Sequence, residues 1–166
     1  MVSGSDDGIV KIWDINPASQ NINSLFAQIN TCKRKRCGIR ALAYFKVPSK
    51  QYLVTSHLDK TFKVFELKGD KVLSETNTAP EGYGIINSIY FVEGGAKFIT
   101  SDVNGNLSVW DTTNPQKPLK SIGIGENVSK MAFLPSKNQV AVLKKDCEVL
   151  AWDLNNNQLT KLHEHE

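Results

Sequence analysis

The sequence runs to 166 residues, 40% hydrophobic and 22% charged, an ordinary globular mixture that excludes a disordered or fibrous chain. The formal net charge of +3 is small, and much of the basic excess sits in one run, Lys33-Arg34-Lys35-Arg36. No apolar stretch approaches the roughly 18 to 20 residues of a membrane-crossing helix, so no membrane partner is expected.

In chain order, Met1 leads into polar Ser3-Gly4-Ser5-Asp6-Asp7 without an apolar signal core, which predicts no secretion. The stretch Ser3-Gly4-Ser5-Asp6-Asp7-Gly8-Ile9-Val10-Lys11-Ile12-Trp13-Asp14 reads as a hairpin whose turn former is Asp7. A strand follows at 39–44, with apolar Ile39, Leu42 and Tyr44 at its first, fourth and sixth positions, then a hairpin over 55–66 turning at Asp59. The pair returns twice: Ile86, Ile89 and Phe91 precede a hairpin over 100–111 turning at Asn104, and Val128, Met131 and Phe133 precede one over 142–153 turning at Asp146. Each hairpin ends in an aromatic and an acid, Trp13-Asp14, Phe65-Glu66, Trp110-Asp111 and Trp152-Asp153, spaced by 52, 45 and 42 residues. That is a repeat of about 40 residues with loop insertions. Beyond the turns, Phe62-Lys63-Val64-Phe65 and Leu107-Ser108-Val109-Trp110 alternate with a period of two, as half-buried strands do. A fourth run, for example Leu119-Lys120-Ser121-Ile122, follows a polar loop, so each repeat holds four strands and the chain is predicted to be all-β.

These four aligned hairpins, the first above all, resemble the end of a WD repeat of the WD40-type β-propeller family. The resemblance covers nearly the whole chain. It implies radially arranged, four-stranded antiparallel blades, here about three complete blades plus part of another: a remnant at 1–30 and blades at 38–77, 84–124 and 127–163. Such an open half propeller would expose an apolar face at each end. The missing blades are therefore expected from a longer parent chain or from a second copy, and a fragment is favoured because Met1 falls within a strand position. The sequence departs from the family in having no Gly-His pair. The family's histidine position falls on Lys35, Gly82 and Ile124, and its hydroxyl position on Ser3, Thr55, Thr100 and Val142. No complete His–hydroxyl–Asp–Trp tetrad is expected, so Trp13, Phe65, Trp110 and Trp152 and the turn residues Asp7, Asp59, Asn104 and Asp146 should act through packing and turn geometry.

Catalysis is not expected. His57 reads as a polar residue beside a turn, His163 and His165 lie in the tail, and no nucleophile can be given a base and an orienting acid by spacing. Gly94-Gly95 reads as a hairpin turn, no glycine pattern opens a helix to cradle phosphate, and neither a metal site nor a cofactor is predicted. The odd set Cys32, Cys37 and Cys147 lacks metal-ligand spacing and predicts free thiols in a cytoplasmic or nuclear protein. What the resemblance implies instead is binding of other proteins or peptides, through residues flanking the first strand of each blade and just before each turn. Carried over, these are Gly38 and Arg40, Ile85 and Asn87, Asn127 and Ser129, with Asp6, Leu58, Val103 and Lys145 before the turns. Arg40 is the expected anchor, because arginine is enriched at interface hot spots, and apolar Leu58 and Val103 come next. The alternative is a nucleic-acid-associated propeller in which Lys33, Arg34, Lys35 and Arg36 contact phosphates.

Overall fold

Strands that alternate in polarity must each bury one face, and in the computed structural model they do so in four antiparallel sheets. Residues 1–32, 37–126 and 128–164 are described. They fall into two units, Met1–Ala79 and Pro80–Glu166.

The first unit contains a three-stranded sheet, β1 (Val2–Gly4), β2 (Ile9–Trp13) and β3 (Leu25–Asn30), and a four-stranded sheet, β4 (Ile39–Val47), β5 (Lys50–His57), β6 (Phe62–Lys68) and β7 (Lys71–Thr78), each in sequential order. Val10, Ile12, Ala27 and Ile29 of the first sheet pack with Leu53, Phe65 and Leu67 of the second in one core. The hairpin β5–β6 pairs Leu53 with Phe65 and Thr55 with Lys63. Strand β7 is exposed over most of its length, which explains its polar sequence, Lys71-Val72-Leu73-Ser74-Glu75-Thr76-Asn77-Thr78.

The second unit holds two four-stranded sheets, again in sequential order. One is β8 (Ile86–Val92), β9 (Lys97–Asp102), β10 (Asn106–Asp111) and β11 (Lys120–Gly123); the other is β12 (Val128–Leu134), β13 (Gln139–Lys144), β14 (Glu148–Asp153) and β15 (Gln158–Glu164). Their shared core includes Val92, Ile99, Leu107, Val109, Met131, Val140, Val142 and Trp152. The β8–β9 connection at Gly94-Gly95 is a single 3₁₀ turn, Glu93–Gly95, with Gly94 at φ 63°. Strand β11 begins at Lys120, one residue later than the alternation suggests, because the Leu119 N–H bonds to the Val109 carbonyl outside the regular ladder.

Candidate protein-interaction rim

The turns that close the four hairpins share one geometry. The N–H of Gly8, Lys60, Gly105 and Cys147 bonds to the carbonyl three residues earlier, of Ser5, His57, Asp102 and Lys144 respectively. Each donor sits in the left-handed region, at φ 78°, 66°, 83° and 66°. Asp7 and Asp59 accept from the backbone N–H two residues on, at 2.9 and 3.1 Å, so these turn acids do shape their turns. The acids after the aromatics do the same for the next loop: Asp14, Asp111 and Asp153 accept from the N–H of Asn16, Thr113 and Asn155. Hydrogen bonds from Ser19 hold the Asp14 carboxyl below its ordinary pKa, and those from Thr113 do so for Asp111.

Below the turns, each hairpin satisfies its aromatic and its strand hydroxyl differently. In the first sheet the Trp13 indole N–H donates to Ser3 Oγ (3.0 Å), and in the third the Trp110 indole donates to Thr100 Oγ1 (2.8 Å). Phe65 has no N–H to give. Thr55 Oγ1 instead meets His57 Nε2 at 3.1 Å, while His57 Nδ1 meets the Cys37 carbonyl at 2.9 Å. A carbonyl only accepts, so the imidazole proton sits on Nδ1 and Nε2 accepts from the threonine. His57 is thus a turn-flanking polar residue, but one only 1% exposed, and burial pushes its pKa down. In the fourth sheet Val142 offers no hydroxyl, and the Trp152 indole donates to Asn157 Oδ1 (2.9 Å). Among the described residues no hairpin completes the four-residue network; Phe65, Trp110 and Trp152 are buried, and all three indoles donate a hydrogen bond.

At the start of each first strand the ladder slips. Ile39 pairs with His57 but Ala41 with Ser56; Ile86 pairs with Asp102 but Ser88 with Ser101; Val128 pairs with Lys144 but Lys130 with Leu143. The extra residues in these bulges are Arg40, Asn87 and Ser129. A bulge re-aims its side chain and bends the strand end, so three equivalent positions are set apart from the regular sheet by one device. Arg40 and Ser129 are exposed, whereas Asn87 is half-buried, accepting from Ser101 Oγ (2.6 Å) and donating to the Val128 carbonyl (3.4 Å).

Backbone bonds tie these strand starts to the turns. The Leu58 N–H donates to the Gly38 carbonyl (3.1 Å), and the Val103 N–H to the Ile85 carbonyl (3.0 Å). Gly38 is buried, and a Cβ there would lie 3.0 Å from the Asp6 backbone, so only glycine lets the two segments approach. The first unit thus gathers Asp6, Gly38, Arg40 and Leu58, and the second gathers Ile85, Asn87, Val103 and Ser129. Leu58 and Val103 are each 45% exposed at their turn tips, and Lys145 is exposed beside the fourth turn. Asn127 and the basic run Lys33, Arg34, Lys35 and Arg36 lie outside the described residues.

The family model described as "WD domain, G-beta repeat" matches residues 1–14. A structure titled "Crystal structure of WD40 beta propeller domain of Doa1" superposes on 99% of the chain with a TM-score of 0.74 at 19% identity, using 50% of that chain. The chain has the fold of WD40 propeller blades. The curated relatives it matches are larger proteins. The tRNA (guanine-N(7)-)-methyltransferase non-catalytic subunit wdr4 of Dictyostelium discoideum is 28% identical over 109 residues, 66% of this chain and 23% of that protein. Cilia- and flagella-associated protein 52 of Homo sapiens is 22% identical over 151 residues, 91% of this chain and 22% of that protein. The chain therefore spans about a quarter of the length of these relatives.

Three features of the WD-repeat chain escaped sequence reasoning. Cys32 and Cys37 are not free thiols: they are disulfide-bonded, with Cα atoms 6.2 Å apart, and Cys147 alone is free and exposed. The pairing of these two, out of three cysteines, is decided by where the folded backbone brings them. Asp102 is 1% exposed and accepts from the Gly84 N–H, the Asn106 N–H and the Asn106 amide at 2.7 to 2.8 Å, so it fastens the loop before β8 to the turn after β9. Tyr83 packs on Trp110, with ring centroids 5.7 Å apart, and its hydroxyl lies within 3.1 Å of Ser108 and Ser121, themselves 2.9 Å apart. It does this one residue after Gly82, where the family's histidine falls.

Proposed function

We propose that this chain is a protein-interaction scaffold in which each unit presents its own bulge residues and turn tips to a partner protein or peptide. The observation that carries the reading is the recurrence of the bulge at Arg40, Asn87 and Ser129, beside the exposed Leu58, Val103 and Lys145. A rigid sheet holding such side chains loses little entropy on docking. The matched relatives, one named as a non-catalytic subunit, support a role within assemblies and not in chemistry. Because the chain corresponds to half of the Doa1 propeller chain, we also propose that further blades, from a longer chain or a second copy, complete the ring. Gly38 and Ile85 support the rim in this reading, and Asp6 and Lys145 tune its charge.

The test is to place a photoreactive residue at Arg40, Leu58 or Val103, with Leu73 on the exposed outer strand β7 as control, and to compare crosslinked partners in extracts. Adducts specific to the three rim positions are expected, and those at Leu58 should be abolished by Arg40→Glu. Equal labelling at Leu73 would remove the support for this face.

A second reading is favoured by one observation, the relative named as a tRNA methyltransferase subunit. On that reading Lys33, Arg34, Lys35 and Arg36 contact phosphates. Four such contacts predict a log–log salt slope of roughly −3 for single-stranded RNA; neutralising all four with glutamine should flatten it, and a slope near zero in the unaltered chain rejects it.

A further inference from the structure

We propose that Cys32 and Cys37 form a reversible oxidation site, a dithiol–disulfide couple that staples the connection between β3 and β4 and sets the rigidity of the rim beside it. Cys32 follows β3, and Cys37 precedes β4 by two residues. The two cysteines are five residues apart, so in the chain-entropy model their bond stabilises the fold less than a cross-link that closes a long loop. The two sulfurs differ in access. Cys32 is half-exposed and lines an open cavity of about 360 Å³ with Asn30, Thr31, Asp59, Lys63 and Glu75, whereas Cys37 is 3% exposed. An accessible thiolate beside a sheltered resolving thiol is the arrangement of redox-sensing pairs.

The exchange partner is a low-molecular-weight disulfide such as glutathione disulfide. The Cys32 thiolate attacks one of its sulfurs and expels one glutathione thiolate, leaving a mixed disulfide. The Cys37 thiolate then attacks the Cys32 sulfur and expels the second. Two cysteine thiols are oxidised, one glutathione disulfide is reduced, and the two protons leave with the two glutathione thiols.

Position gives the couple its effect. The Cys37 carbonyl receives the His57 Nδ1–H, the next carbonyl, of Gly38, receives the Leu58 N–H, and the Ile39 N–H donates to Ser5. Opening the staple releases the segment on which Gly38 and Arg40 stand. The inference holds whether or not that rim binds a partner.

The full chain would be equilibrated in glutathione buffers of graded thiol-to-disulfide ratio, acid-quenched, alkylated and weighed intact. Cys32 and Cys37 should pass together from two alkylated thiols to none across the series, as one two-electron transition. Cys37→Ser should trap Cys32 as its glutathione adduct, and Cys32→Ser should trap Cys37 at least about tenfold less, because it is sheltered. Hydrogen exchange at the Leu58 and Ile39 amides should be at least about threefold faster in the reduced chain and in the C32S/C37S double variant than in the oxidised chain. Alkylation of all three cysteines alike at every ratio overturns the couple, as does a Cys32–Cys37 bond that no ratio opens; unchanged exchange at Leu58 and Ile39 overturns its effect on the rim.

Discussion

The second and third sheets start from sequences that align residue for residue through their central hairpins, yet they hold the equivalent loops with hydrogen bonds of opposite polarity. In the second sheet, His57 donates to the Cys37 carbonyl, and Phe65 leaves Thr55 to be satisfied by the same histidine. In the third, Asp102 accepts from the Gly84 N–H, and Trp110 satisfies Thr100 directly. What the fold requires at that position is a buried polar side chain that bridges the incoming loop to the turn; which residue supplies it depends on what its neighbours leave unpaired.

The comparison can be broken most severely at Trp110, which is fully buried, stacks on Phe98 with centroids 6.3 Å apart and carries the Tyr83 contact. Trp110→Ala should cost about 4 kcal/mol in the Pro80–Glu166 unit, read as lost hydrogen-exchange protection in β9 and β10. An unchanged pattern there would show that the third sheet does not depend on its aromatic. Asp102→Ala comes next, at about 3 kcal/mol, because it strands the Gly84 and Asn106 N–H groups together; chemical denaturation measures it. His57→Asp sharpens the polarity argument, since it sets a carboxylate against the Cys37 carbonyl, and it should destabilise by about 2 kcal/mol.

The turns offer a milder test. Gly105 sits at φ 83°, and a Cβ there would overlap the Gly125 carbonyl, whereas its counterpart Lys60 takes φ 66° with a side chain in place. Gly105→Ala should therefore destabilise by about 2 kcal/mol, and Lys60→Gly should stabilise by up to about 1 kcal/mol by relieving left-handed strain. Equal and small effects at both would mean that the two turns are interchangeable.

The gentlest perturbation is pH. Burial lowers the pKa of His57 below its ordinary value of 6.5, so between the two values the unfolded chain binds more protons than the folded one. Stability is then full above about 6.5 and declines as pH falls through the folded pKa. Thermal scans should show that decline, and His57→Gln should remove it. A decline that persists in the glutamine variant would place the proton elsewhere.

Much of this was legible in the residues because strand periodicity is a local property. The alternation in Phe62-Lys63-Val64-Phe65 and Leu107-Ser108-Val109-Trp110, the turn formers Asp7 and Asp59, and the recurring aromatic–acid pairs fix where strands and turns lie, and with them the blade pattern. The positions flanking each first strand were also found by alignment alone. Their geometry was not: that Arg40, Asn87 and Ser129 are bulge residues depends on which residue each strand pairs with across the ladder, a register that no single strand encodes. The same holds for the buried bridges of His57 and Asp102, for the Tyr83 hydroxyl cluster, and for the Cys32–Cys37 bond. Apart from the disulfide, each joins a loop to residues that strand pairing sets beside it, and each exists because a polar group removed from water must find a partner wherever the tertiary structure leaves one.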